Sequence, residues 1–128
     1  MWESSVATHI KRVQPVLMVR DVPASIAFYS RLGFVFAFTD DPDQPRYAGI
    51  RRDGIELHLQ WHDAGEWEYP NDRPTYRFVA QNIDRLLAEF HANNACPPDT
   101  AAAETPWGTY EFHILDPDGN GLQFYRES

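Results

Sequence analysis

Glu56 and His58 stand two residues apart in the stretch IELHLQW, residues 55–61, and Glu111 and His113 repeat that spacing in TYEFHIL, residues 109–115. In an extended chain, residues i and i+2 share a face, so each carboxylate neighbours an imidazole if these stretches are strands. Such a pair can shuttle protons as an acid–base couple. It can offer oxygen and nitrogen to a divalent cation. It can also be one part of a satisfied polar network that holds a pocket in shape. Gln123 and Tyr125 share a face in the same way, and Arg77 contributes a cation from another alternating run, TYRFV. No Ser or Cys falls among these positions, so an activated nucleophile is not among their chemistries.

The elements that must position these groups can be read along the chain. Val13 to Val19 reads as a strand, and Asp21 then offers a helix cap with Pro23 in the first turn. Ile26, Phe28, Tyr29 and Leu32 give that helix an apolar side, and Gly33 ends it. Strands are expected over Phe34 to Thr39, around Tyr47 to Arg51, and over Ile55 to Trp61, with Asp53-Gly54 as a hairpin turn. The order then repeats. Thr75 to Ala80 reads as a strand, Asn82 is a cap candidate, and Ile83, Leu86, Leu87 and Phe90 form a helical stripe broken by Pro97-Pro98. A short strand near Ala101 to Ala103 precedes two strands joined across Asp116-Pro117-Asp118-Gly119-Asn120-Gly121. Gln14 to Thr75 and Asp21 to Asn82 are both 61 residues apart, so the halves share one plan. The expected fold is α+β: two β-α-β-β-β modules, about 10–62 and 73–126, in one domain spanning 1–128.

Bulk composition narrows the function. The net charge is −8, with 19 acidic residues against 11 Lys and Arg, which argues against nucleic acid and is compatible with a cationic ligand. Asp40, Asp41 and Asp43 lie in one loop, while Asp63, Glu66, Glu68 and Asp72 lie in another beside Trp61, Trp67 and Tyr69. An aromatic between two glutamates, as Trp67 is, points to a ligand or a partner. No apolar run is long enough for a bilayer, and Met1 to Ser5 does not begin a signal peptide, so a cytoplasmic protein is expected, with no membrane partner. Cys96 is the single cysteine, which excludes an internal disulfide framework and a cysteine-based zinc site.

Three stretches resemble the vicinal-oxygen-chelate superfamily of glyoxalases, extradiol dioxygenases and bleomycin-resistance proteins: residues 15–34, 47–59 and 106–125. The likeness is greatest to bleomycin-resistance proteins, through Pro15-Val16-Leu17, Ala48-Gly49-Ile50-Arg51-Arg52 and Pro106-Trp107-Gly108. The resemblance implies two curved sheets with helices on the convex side and a pocket between the concave faces. Those faces would carry Gln14, Val16 and Met18, then Glu56, His58 and Gln60, then Thr75, Arg77 and Val79, then Glu111, His113, Gln123 and Tyr125.

Metal-using members take ligands at slots that fall here on Gln14, Glu56, Thr75 and Gln123. One carboxylate and no imidazole make a weak site, so no metal or other cofactor is expected; a shifted set of Glu56, His58 and His113 is the alternative. The resemblance further implies a homodimer that exchanges N-terminal strands, with residues near 6–14 on the partner, and a cleft that binds a small molecule such as bleomycin. Phe38, Trp67 and Trp107 would stack on flat rings of the ligand, while Glu56, His58, Arg77, Glu111, His113, Gln123 and Tyr125 would supply polar contacts. Of Phe36 and Phe38, one is expected to line the cleft and the other to pack inward. The competing readings are a divalent-metal lyase or dioxygenase of the same superfamily and a dimer with no ligand.

Overall fold

A computed structural model describes residues 9–67 and 73–127. The first half forms β1 (Val16–Val19), α1 (Val22–Arg31), β2 (Val35–Thr39), β3 (Tyr47–Arg52) and β4 (Ile55–Trp61), followed by a 3-10 turn at Ala64–Trp67. The second half forms β5 (Thr75–Val79), α2 (Ile83–Ala92), β6 (Ala103–Glu104), β7 (Thr109–Leu115) and β8 (Gly121–Glu127). Two four-stranded sheets result, ordered β1-β4-β3-β2 and β5-β8-β7-β6. In each sheet the first and last strands of the module pair in parallel, and the other pairs are antiparallel. The fold is α+β with two matching halves, and no helix among the described residues is long and apolar enough to cross a membrane.

Local chemistry accounts for the boundaries. β1 starts at Val16 rather than Val13, because Pro15 has no N–H and contributes only its carbonyl, which accepts from the His58 amide at 3.0 Å. The Asp21 side chain caps α1 by accepting from Ala24 N at 3.0 Å. Asn82 holds the N-cap position of α2 without a side-chain cap bond. Both helices end in the same way: Phe34 N reaches Tyr29 O at 3.0 Å, and Ala95 N reaches Phe90 O at 2.8 Å. The residues that turn the chain there, Gly33 (φ +85°) and Asn94 (φ +53°), are left-handed, so α2 stops before the Pro97-Pro98 expected to break it.

The core lies on the helix side of both sheets. Leu57 and Leu59 of β4, Phe78 of β5, Phe112 of β7 and Phe124 of β8 are all buried there with Tyr29, Leu32, Ile83 and Phe90. Polar bonds fasten the halves along the same side. The Tyr29 hydroxyl donates to Asp116 at 2.8 Å, and the Arg52 guanidinium pairs with Glu89 at 2.6 Å. Asp116 also accepts from the backbone N–H groups of Asp118 and Asn120, so the acidic turn before β8 is a buried latch. Burial and the Asp116 carboxylate push the Tyr29 phenol well above its ordinary range, so it stays a donor.

Joining the helix sides leaves the opposite, open faces outermost. A cleft of about 940 Å³ runs between the halves past Arg52, Ile55, Val79 and Arg85, and one of about 360 Å³ lies on the second half beside His113 and Gln123. Neither is lined by both open faces.

Candidate functional site

On the open face of the first sheet, β4 carries Glu56 and His58, and β3 brings Tyr47 and Arg51 across from it. His58 Nε2 donates to Glu56 Oε2 at 2.6 Å, and Arg51 Nε donates to Glu56 Oε1 at 2.5 Å. With that proton on Nε2, Nδ1 of a neutral His58 accepts the Tyr47 hydroxyl at 2.7 Å. Phe38 completes the group, its ring 5.2 Å from that of His58 and 6.3 Å from that of Tyr47. Hydrogen bonds from Arg51 first, then from His58, hold the Glu56 carboxyl below the usual carboxylate range.

The open face of the second sheet holds a second network. Arg77 Nη2 donates to Glu111 Oε2 at 3.0 Å, and Nη1 donates to Gln123 Oε1 at 2.5 Å. His113 Nε2 donates to Glu111 Oε1 at 2.6 Å, and the Thr109 hydroxyl donates to Oε2 at 2.5 Å. The Arg77 guanidinium carbon lies 4.1 Å from the centre of the Tyr125 ring. Glu111 is thereby buried on a face that is otherwise open, and its carboxyl is lowered to about 2, with Arg77 the largest cause and burial opposing it. A carboxylate lowered to about 2 is a poor proton acceptor near neutral pH, and in both networks the glutamate holds an arginine. The Cys96 thiol, pushed up by burial, adds no nucleophile.

The donor set does not suit a divalent cation. Gln14 Nε2 donates to the backbone carbonyl of Glu56 at 2.7 Å and to that of Pro15 at 3.2 Å, and both Glu56 oxygens are engaged. In the second sheet Gln123 is in register with Arg77, while Thr75 faces Gly121. A guanidinium thus donates to the oxygen that a metal would use and brings its own positive charge. Glu56 and His58 lie on the first sheet and His113 on the second, and no group of three or more His, Cys, Asp or Glu among the described residues could hold an ion.

The aromatics divide. The pairing shifts by one residue between Phe36 and Phe38, so Ala37 forms a bulge and alternation fails. The two rings therefore turn to opposite faces: Phe38, opposite Gly49, lies on the open face at 38% exposure, and Phe36, opposite the buried Ile50, lies on the helix side but is 54% exposed rather than packed inward. Trp107, at the tip of the β6–β7 hairpin, is 65% exposed. Trp67 is elsewhere, half-buried between Arg20 at 3.9 Å and Arg73 at 5.0 Å, with its N–H donating to His62 O at 3.0 Å. Its neighbours Glu68 and Tyr69 lie outside the described residues. Sequence reasoning missed Tyr47, Arg51 and Thr109. The alternation of Tyr47, Gly49 and Arg51 along β3, opposite β4, was a signal that could have found the first two.

The model for the Glyoxalase/Bleomycin resistance protein/Dioxygenase superfamily matches residues 9–124. The chain belongs to this superfamily. Curated superfamily members named bleomycin resistance protein, from Geobacillus stearothermophilus and Staphylococcus aureus, are 26% identical over 129 residues, covering 88% of this chain and 94% of theirs. The bleomycin-binding protein of Streptomyces verticillus, solved with copper(II)-bleomycin, is 27% identical with a TM-score of 0.74, over 95% of this chain and 100% of its own. The bleomycin resistance determinant encoded on transposon Tn5 shares the fold, with a TM-score of 0.75 at 19% identity over 93% of this chain and 99% of its own. Superfamily membership leaves the activity to be argued from the site.

Proposed function

We propose that this chain is a binding protein of the bleomycin-resistance type, which sequesters a cationic, partly aromatic antibiotic in the cytoplasm without turning it over. The observation that carries this reading is an exposed aromatic, Phe38, set beside the Glu56 network whose carboxylate is already committed to an arginine, with a second exposed aromatic, Trp107, at the β6–β7 tip. Such faces offer stacking surface and fixed hydrogen-bonding groups. Every oxygen of Glu56 and Glu111 is already engaged, which leaves these faces no free carboxylate for a metal. The choice of ligand draws on the relatives named for bleomycin, and the net charge of −8 suits a cation.

The working unit is a homodimer. The open faces expose Val16, Val35 and Val79, at 40%, 64% and 72%. A second copy that set its first-sheet face against the second-sheet face of its partner would cover this surface and enclose a cleft. The part of the 6–14 segment expected to cross to the partner that precedes residue 9 lies outside the described residues.

Equilibrium dialysis against bleomycin, followed by mass spectrometry of the recovered drug, tests the reading. Saturable retention of chemically unchanged bleomycin is expected. Recovery of a modified product would replace sequestration with catalysis.

A further inference from the structure

We propose that Arg77 determines ligand specificity on the second-sheet face, by presenting its guanidinium as a rigid plane on which a flat, unsaturated group of the ligand stacks. The inference rests on the binding reading above and goes beyond it by naming the receptor group and the shape it selects.

Three observations carry it. Arg77 is fixed on its edges, by Glu111 at 3.0 and 3.4 Å and by Gln123 at 2.5 Å. One face of the guanidinium is backed by the Tyr125 ring at 4.1 Å. Its side chain nevertheless remains 37% exposed. A surface arginine ordinarily loses rotamer freedom when a ligand immobilises it, and here the orientation exists before binding.

The charge balance says which property of Arg77 is left for a ligand. Glu111 lies directly against the guanidinium, so the pair has little long-range pull on an anion. Nη1 is spent on Glu111 and Gln123. One N–H of Nη2 goes to Glu111 as well, and the planar face turned away from Tyr125 stays open to a ligand. A guanidinium is delocalised and weakly hydrated, and it stacks on π-systems in a way that an ammonium does not. Tyr125, Arg77 and a ligand ring would then form three layers. Selection would favour conjugated, flat groups over saturated cations of equal charge.

Calorimetric titration with bleomycin, at low and at high salt, tests this on R77K, R77A and Y125L. R77K keeps a cation beside the buried Glu111, so it stays informative if R77A fails to fold; thermal melts identify that case. R77K is expected to bind on the order of threefold to tenfold more weakly than wild type at both salt concentrations, and Y125L to weaken binding by removing the backing ring. Wild-type affinity in R77K, or a loss seen only at low salt, would mean that Arg77 acts as a point charge and would overturn the inference while leaving the binding reading intact. A wild-type protein that binds no bleomycin overturns both.

Discussion

The ring of Phe38 occupies the space that a side chain at Gly49 would need: a Cβ there would stand 2.1 Å from Phe38 Cε1. Space and not backbone conformation explains this glycine, since its φ lies outside the left-handed region. The bulge at Ala37 turns Phe38 onto β3, and Gly49 lets its ring settle beside His58 and Tyr47.

Gly49→Ala is therefore expected to push Phe38 out of the cluster. Overpacking of this kind costs about 1–3 kcal/mol of stability. Loss of the stacking surface weakens bleomycin binding by about 0.5–1.5 kcal/mol. In a double-mutant cycle, Phe38→Ala should relieve most of the strain of Gly49→Ala. Purely additive denaturation energies would show that the two positions do not compete for space.

Glu111 sets an acid limit. Its folded carboxyl lies at about 2, below the ordinary 4.5, so the folded state binds the proton more weakly than the unfolded state. The stability it contributes is complete above about 4.5 and is lost as pH falls towards about 2. Urea melts across this window should show a steep fall in wild type and a shallower one in Glu111→Gln. Equal slopes would place the acid sensitivity in other carboxylates.

Stacking and charge separate by salt dependence. Trp107→Ala should weaken bleomycin binding at every salt concentration, because a stacked ring is not screened. Glu66 is exposed and bonded to His62 at 2.6 Å. Glu66→Gln should weaken binding at low salt alone, given screening over ~8–10 Å near physiological ionic strength. Titrations at two ionic strengths check both. An effect of Glu66→Gln that persists in high salt would mean direct contact with the ligand.

Assembly is checked by light scattering. A dimer at micromolar concentration is expected, and Val79→Glu, which puts a charge on an exposed open-face side chain, should shift it towards monomer. A monomeric wild type would leave the two open faces unpaired and remove the shared cleft.

Much of this was legible in the sequence. Alternation in 55–61, 109–115 and 121–125 assigns Glu56, His58, Glu111, His113, Gln123 and Tyr125 to one side of their strands, and Leu57, Phe112 and Phe124 to the core. Asp21, Gly33 and Asp53-Gly54 mark turns and caps through backbone requirements that few residues meet. What stayed hidden depends on partners distant in the chain. The arginines that cover Trp67 come from 47 residues before it and 6 after it. The bulge at Ala37 is a one-residue slip with no composition of its own. The register of β5 against β8, which sets Arg77 rather than Thr75 beside Gln123, is fixed by hydrogen bonding between strands that begin 46 residues apart. The way the halves join, helix side to helix side, rests on Tyr29 with Asp116 and Arg52 with Glu89, pairs that no local pattern announces.

Isothermal titration of the purified wild-type protein with bleomycin, at physiological salt, bears most directly on the claim that this chain is a binding protein of the bleomycin-resistance type. Saturable binding with one drug molecule per chain is the expected result. No heat of binding, at concentrations where a stoichiometric trap must work, would contradict the claim.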